Sequence, residues 1–437
     1  MSKIAIIGAG SVTFTRRLLQ DIVTTDVLKE TKVVLMDINS ERLEVAEAWV
    51  KRLVSDAGSS NVIEATTNRR KALEGADYVI TTIRKGDDLQ IDYGIPMKYG
   101  VDQSVADTIG PGGVFKALRT VPDLLDICTD IEEICPDAIL LQYTNPMAIA
   151  CWSIADVTSV RAVGLCHSVQ YTTEVLAEYV GASKENVSAW VAGINHMAWF
   201  LRFESDGQDL YPKLWKAMED PEIYARDEVR FDVMRHFGSF VTESTQHMSE
   251  YVPYYRKRPE LKKEFNLDTV TTSSGTSVYR SSLSLLNEKH DIHFERFREE
   301  IASDTPIKVE KSVEYASRII SAVETGIPTV INGNVPNDGL ITNLGEGSCV
   351  EVPCVVDKLG IHPMVIGQLP SQLAALCRSN IAVQELAVQA VIDGSKEAAK
   401  YAVMMDPLTA AVLSLREISD MFDEMWDAHG DSLSIYE

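Results

Sequence analysis

The sequence has no C-x-x-C pair, no internal repeat and no low-complexity linker. Without C-x-x-C, neither a zinc ribbon nor a thioredoxin-like redox motif is indicated. No apolar stretch approaches the roughly 20 residues of a membrane span. The opening MSKIAIIGAG carries an apolar run of only Ile4 to Ile7 before glycine intervenes, too short for a signal-peptide core. Cysteines are few and odd in number: Cys128, Cys135, Cys151, Cys166, Cys349, Cys354 and Cys377. In so long a chain they read mostly as small buried hydrophobes of a reducing compartment, and a cytoplasmic location is expected. Positive charge is also scarce: 41 Lys and Arg stand against 64 Asp and Glu, a formal net charge of −23. So acidic a surface repels phosphate backbones and anionic lipids, which argues against nucleic-acid and membrane partners.

What is present fits a soluble globular enzyme. The chain has 437 residues, 45% hydrophobic and 24% charged, and at roughly 150 residues per domain this suggests two or three units. Short apolar runs at Lys3–Ile7, Lys32–Asp37, Val62–Thr66, Asp77–Ile83 and Ala138–Thr144 alternate with amphipathic stretches at Thr13–Thr24, Glu41–Ala57 and Val114–Glu133. This alternation predicts a parallel sheet with helices on both faces. Further strands are predicted at Arg161–Leu165 and Ala189–Ile194, with strands and turns in the glycine-punctuated stretch Ile327–Cys354. Helices are predicted at Pro221–His236, Val309–Glu324, Pro370–Tyr401 and Leu408–Ala428. The fold class is therefore α/β: an N-terminal Rossmann-like domain, residues 1–165, followed by a mixed, largely helical α+β domain, residues 166–437. The boundary falls somewhere between 150 and 195.

Gly8-Ala9-Gly10-Ser11 follows the first strand and opens the first helix. Glycines there permit a tight turn and let a pyrophosphate approach the backbone, while the helix N-terminus offers unpaired amides. The third fingerprint position is Thr13 instead of glycine. Asp37, at the end of the second strand, would accept the ribose hydroxyls of NAD and repel the 2′-phosphate of NADP. FAD is the alternative dinucleotide, and a helix-capping role is the plain alternative for Asp37. Asn145 follows another strand end and precedes Pro146, which restricts it and admits a cis bond.

Cys166 and His196 also sit at strand ends, in GLCHS and GINHM. A thiolate and an imidazole could share one metal ion with positions left open for substrate. A buried cysteine and a satisfied histidine are the plain alternatives.

Taken in order, these segments resemble the family 4 glycoside hydrolases, most closely their α-galactosidase members. The matching pieces include IGAGS at 7–11, ADTIGPGG at 106–113, NPMA at 145–148, GLCHSVQ at 164–170, AGINHMA at 192–198, FVTES at 240–244, EYVPYY at 250–255 and NVPNDGLI at 334–341. NAD-dependent members of this family stand outside the two-carboxylate glycosidase scheme. The resemblance implies hydrolysis of α-galactosides of the melibiose or raffinose type by redox elimination and addition. The sugar is oxidised at C3, deprotonated at C2, cleaved at C1, hydrated and reduced again at C3, with NAD and Mn2+ as cofactors. It further implies that Cys166 and His196 are manganese ligands and that Asn145 binds substrate. Tyr251 matches the C2 base, and Asp107 a carboxylate that raises the proton affinity of that base. His167 stands where phosphosugar members carry Asp or Asn; it either protonates the leaving oxygen or binds a sugar hydroxyl. The second domain is then the catalytic one, and a homodimer or homotetramer is expected.

Alternative substrates within the family are α-glucosides and galacturonides. Outside it, a 2-hydroxy-acid dehydrogenase would share the dinucleotide half, but its H-G-x-H-like segment is missing, and His429-Gly430 lies in the C-terminal tail. A non-catalytic NAD sensor would not need Cys166, His196 and Tyr251. Gly110–Gly113 could hold a ligand on its amides or merely start a helix. Arg84 and Lys85 could face the cleft, with surface charge as the default, and His247 has no assigned role.

Overall fold

The computed structural model describes residues 1–86, 90–271, 277–279 and 294–436. Its first strands are β1 (Lys3–Ile7), β2 (Lys32–Met36), β3 (Val62–Thr66), β4 (Tyr78–Thr81), β5 (Ile139–Gln142) and β6 (Arg161–Gly164). All pair in parallel, in the order β3-β2-β1-β4-β5-β6. β1, β2, β4 and β5 are almost wholly buried, which is why they read as unbroken apolar runs. The strand order reverses between β1 and β4, and ligands of such sheets bind in the crevice outside the strand ends at that point.

The second half adds β7 (Val187–Ile194), β8 (Met197–Ser205), β9 (Gln208–Asp209), β10 (Thr269–Thr271), β11 (Ser277–Tyr279), β12 (Thr329–Pro336), β13 (Cys349–Asp357) and β14 (Gly360–Pro363). Most of these extend the first sheet. The order continues β6-β12-β13-β7-β8-β9 with antiparallel pairing, and β14 pairs with β13. β10 and β11 form a separate pair. One sheet therefore runs through the expected domain boundary. β8 was not expected, because its first four residues are all buried and show no alternation.

Helix ends explain the other differences. The expected helix Pro221–His236 is two, Pro221–Tyr224 and Glu228–Phe237. Between them Asp227 leaves the helical conformation to take hydrogen bonds from Arg230 Nε at 2.7 Å and Tyr179 Oη at 2.6 Å. Only Ala316–Thr325 of the expected Val309–Glu324 is helical; before it, Asp21 takes the backbone N–H of Ser312. The long C-terminal helix breaks at Gly394, φ 67°, and restarts on the N-cap Ser395. Pro370 is the N-cap of that helix and not its first residue. The last helix starts at Leu415, where Ser414 and Glu417 form a capping box.

One apolar core spans both halves, from Ile4 and Ile6 to Met421 and Phe422. A second cluster surrounds Phe200, Phe231 and Phe240. Among the described residues no helix is long and apolar enough to cross a membrane.

Candidate active site

β1 delivers Gly8 in the left-handed conformation, φ 95°. A Cβ there would meet the backbone carbonyl of Thr82, beyond β4, at 2.8 Å. Gly10 donates its N–H to Asp37 Oδ2 at 2.7 Å, and a Cβ at Gly10 would meet the same oxygen at 2.6 Å. Both glycines are thus required by close approach, and with Asp37 they stand at the strand ends where sheets of this kind bind dinucleotides. Ser11 is the N-cap of helix Val12–Thr24 but makes no side-chain cap, so the first-turn amides keep their donors. Asp37 Oδ1 accepts from Asn39 N at 2.9 Å. An ionised carboxylate offers about four acceptor sites, so Asp37 retains capacity for further donors.

The second pole lies where β5, β6 and β7 end. Asn145 follows β5, and its bond to Pro146 is cis. Its Nδ2 approaches Asp107 Oδ2 at 3.5 Å. Asp107 also lies 3.6 Å from Lys116 Nζ and 4.0 Å from His247 Nε2. His196 sits in the turn between β7 and β8 with φ 63°. Its ring centroid lies 4.5 Å from that of His247 and 6.3 Å from that of Tyr251. Thr108 joins the group: Tyr251 donates its phenol proton to Thr108 Oγ1 at 2.9 Å, and that oxygen lies 3.5 Å from His196 Nδ1.

His196, Glu243 and His247 bring one potential ligand atom each within 4.8 Å of one another. Glu243 Oε1 is 3.9 Å from His196 Nε2 and 3.8 Å from His247 Nδ1. These residue types at this spacing fit a divalent cation. Cys166, the expected ligand, is buried but does not belong to the trio; Glu351 and Glu243 act on it electrostatically. His167 is more exposed; its Nδ1 lies 3.6 Å from Glu314, which also pairs with Arg17.

Charge in this pocket is unevenly placed. Burial pushes the Cys166 thiol well up, and Glu351 and Glu243 add to the effect. Burial likewise raises the Tyr251 phenol, with Asp107, Glu250 and Cys166 reinforcing it against the Thr108 hydrogen bond. Burial works against the charge of Asp107, but Lys116, His247, His196 and Arg84 outweigh it and keep the carboxyl below the usual range. Glu243 is held low in the same way by His247, His196 and His167. Burial lowers His247.

Several of these residues escape sequence reasoning. Glu250 accepts from the backbone N–H groups of Ser104, Val105 at 2.6 Å and Ala106 at 3.1 Å, and from Gln103 Nε2 at 3.2 Å. It therefore fixes the loop that carries Asp107 and Thr108, one residue before Tyr251. Lys116 is buried on the long helix Gly110–Ile134. His247, left unassigned by sequence, belongs to the cation-fitting trio. Gly110–Gly113 forms the first turn of that helix, and its glycines serve close packing. A Cβ at Gly112 would meet the Ala106 carbonyl oxygen, and one at Gly113 the Thr108 backbone, each at 2.6 Å. Arg84 bears on Asp107, whereas Lys85 pairs with Asp123 at the surface.

Comparison with known proteins identifies the family. Residues 3–182 match the model of the family 4 glycosyl hydrolases, and residues 191–409 that of the family 4 glycosyl hydrolase C-terminal domain. The alpha-galactosidase of Bacillus subtilis (strain 168) is 41% identical over 442 residues, covering 100% of both chains. The alpha-galactosidase of Rhizobium meliloti (strain 1021) is 38% identical, covering 99% of this chain and 89% of its own. The alpha-glucosidase of Erwinia rhapontici is 30% identical, covering 96% and 97%. In fold, the chain is similar to a 6-phospho-alpha-glucosidase from gut microorganisms solved with NAD and Mn2+, with a TM-score of 0.82, 21% identity and coverage of 99% and 98%. The chain belongs to family 4 of the glycosyl hydrolases.

Proposed function

We propose that this glycosidase cleaves α-galactosides by redox elimination and addition, with NAD and a manganese ion as cofactors. The observation that carries the reading is the convergence of Tyr251, Thr108, Asp107, Asn145 and His196 on one buried point at the strand ends. The choice of galactoside is supported by the alpha-galactosidases at 41% and 38% identity. The cofactors are supported by the glycine turn, by the cation-fitting trio and by the NAD and Mn2+ of the structurally similar 6-phospho-alpha-glucosidase.

In this reading residues 1–165 supply the dinucleotide site, through Gly8, Gly10, Ser11 and Asp37. Residues 166–437 supply the cation ligands Cys166 and His196, with Glu243 and His247 at the border. Asn145 and Asp107 reach the substrate from the first part. When bound, the nicotinamide would take and return the C3 hydride, while the cation would draw charge onto the neighbouring sugar oxygens. The protein's own groups do the rest. Thr108 orients the Tyr251 oxygen, which removes the C2 proton once C3 is at the ketone level. Asp107, neutralised by Lys116, holds Asn145 toward the sugar and opposes premature loss of the Tyr251 proton. The C1–O bond then breaks, His167 protonates the departing oxygen or holds a sugar hydroxyl, and water adds at C1. The assembly is expected to be a homo-oligomer.

The test is a panel of p-nitrophenyl glycosides assayed with NAD, manganese and a thiol reductant. The α-galactoside is expected to turn over fastest with no net rise in NADH absorbance. Faster cleavage of an α-glucoside, a galacturonide or a 6-phosphoglucoside would overturn the substrate assignment. Stoichiometric NADH would indicate a dehydrogenase instead.

A further inference from the structure

β6 ends in the Cys166 loop and β7 in the turn that carries His196. Between them in the sheet lie β12 and β13. One row of paired residues crosses all four strands: Gly164 faces Asn334, Asn334 faces Glu351, and Glu351 faces Gly193. Directly opposed residues of neighbouring strands project to the same face. The outer two positions tolerate no side chain. A Cβ at Gly164 would meet Met147 Sδ at 2.6 Å, and one at Gly193 would meet the Met197 carbonyl oxygen at 2.6 Å. The row thus holds one carboxylate, enclosed in the sheet between the two loops.

Glu351 is completely buried. Neither of its oxygens receives a well-formed hydrogen bond from any described residue. The Asn195 amide lies beside it and favours its charge, yet Asn195 Nδ2 also lacks an acceptor, and so does Asn334 Oδ1 lack a donor. Burial raises the carboxyl to about 8, Glu243 pushes the same way, and His196 opposes. Buried carboxylates are ordinarily paired, hydrogen-bonded or tied to a metal. Apart from the Asn195 amide, Glu351 has no such partner among the described residues. The titratable groups that feel it include Cys166, His196 and Glu243 of the candidate site, beside Cys349, Cys354 and Tyr315.

We propose that Glu351 is a positioning and charge-balancing residue of the cation centre, placed behind His196 and Asn195 so that the centre selects and retains a divalent ion. This rests on the cation site of the proposed function. A cation bound beside Glu351 would favour its charged form, as it would the Cys166 thiolate, and its position is fixed by the strand register and not by a loop.

The experiment compares metal-free wild-type protein with Glu351→Gln, which keeps the shape and removes the charge. Free Mn2+ is followed by electron paramagnetic resonance during titration. NAD affinity and the melting temperature of the metal-free protein are measured alongside. The variant is expected to bind Mn2+ about 10–100-fold more weakly, the range typical of groups that support metal ligands. Its metal-free melting temperature should be unchanged or higher, and NAD affinity unchanged. Mn2+ affinity within twofold of wild type would overturn the proposal. A lower metal-free melting temperature would also overturn it, since it would make Glu351 a structural residue. If the glutamine variant does not fold, Glu351→Met is titrated in the same way; failure of both to fold counts against the proposal. Absence of Mn2+ binding by the wild-type protein would instead remove the cation site itself.

Discussion

Cys166 and Tyr251 face the same difficulty. Both are buried, both have nearby carboxylates, and both are pushed toward their neutral forms. In the proposed reading a cation bound near them would reverse that preference, since a nearby positive charge favours thiolate and phenolate. This makes Cys166 the most informative single residue. Cys166→Ser keeps the volume and removes the soft ligand, so turnover at saturating Mn2+ should fall by on the order of 10³-fold, the several kcal/mol a Lewis-acid ion supplies. Its melting temperature and NAD affinity should stay as in the wild type, because the residue serves the ion and not the core. Steady-state assay, scanning calorimetry and NAD titration check this. Near-normal activity would move the metal elsewhere. Cys166, His196 and Asn145 were singled out in sequence at strand ends, and Asp107 and Tyr251 through the family resemblance; the structure brings Asn145, Asp107, His196 and Tyr251 together. Thr108 and Glu250 were not singled out. Their roles come from contacts across well over a hundred residues, as between Tyr251 and Thr108 or between Glu250 and Val105.

Among the elements, strands were read best where burial on both faces leaves an unbroken apolar run, as in β1 and β2. Helix lengths were overestimated where a polar residue caps a new helix at the end of the one before. Ser395 and Ser414 cap a helix directly after the C-caps Gly394 and Leu413 of the helices before them, and periodicity passes through such points without a mark. Asp406 is another, and it carries a measurable consequence. It caps helix Pro407–Val412, accepting from Thr409 N at 2.7 Å and Thr409 Oγ1 at 2.6 Å, yet is only 1% exposed. Burial outweighs these bonds and raises its carboxyl from 3.8 to about 6. The folded protein therefore keeps this proton up to a higher pH than the unfolded chain. Stability from this site is complete below pH ~4, declines as pH rises toward ~6 and stays reduced above that. Asparagine caps helices as well as aspartate does and carries no charge. Asp406→Asn should be more stable than wild type at pH 8 by on the order of 1–3 kcal/mol, with the advantage gone at pH 4. Urea unfolding at the two pH values measures the difference; destabilisation at pH 8 would contradict it.

At the scale of the whole molecule, the dinucleotide half was legible from strand, glycine turn, helix and strand-end acid. The continuation of its sheet was not. β12 and β13 lie between β6 and β7, and only long-range pairing reveals that. This insertion spaces the Cys166 loop from the His196 turn and encloses Glu351 between them. The loop holding Asp107 and Thr108 comes from the first half and Tyr251 from the second, so neither half contains the site alone. The central claim is that this shared site breaks the C2–H bond of the sugar, a step absent from direct displacement at C1. Complete turnover of an α-galactoside in D₂O, followed by proton NMR of the released galactose, tests it most directly. The account predicts deuterium at C2, delivered through the Tyr251 proton exchange, with the original hydrogen kept at C3. Galactose fully protonated at C2 after complete turnover would contradict it.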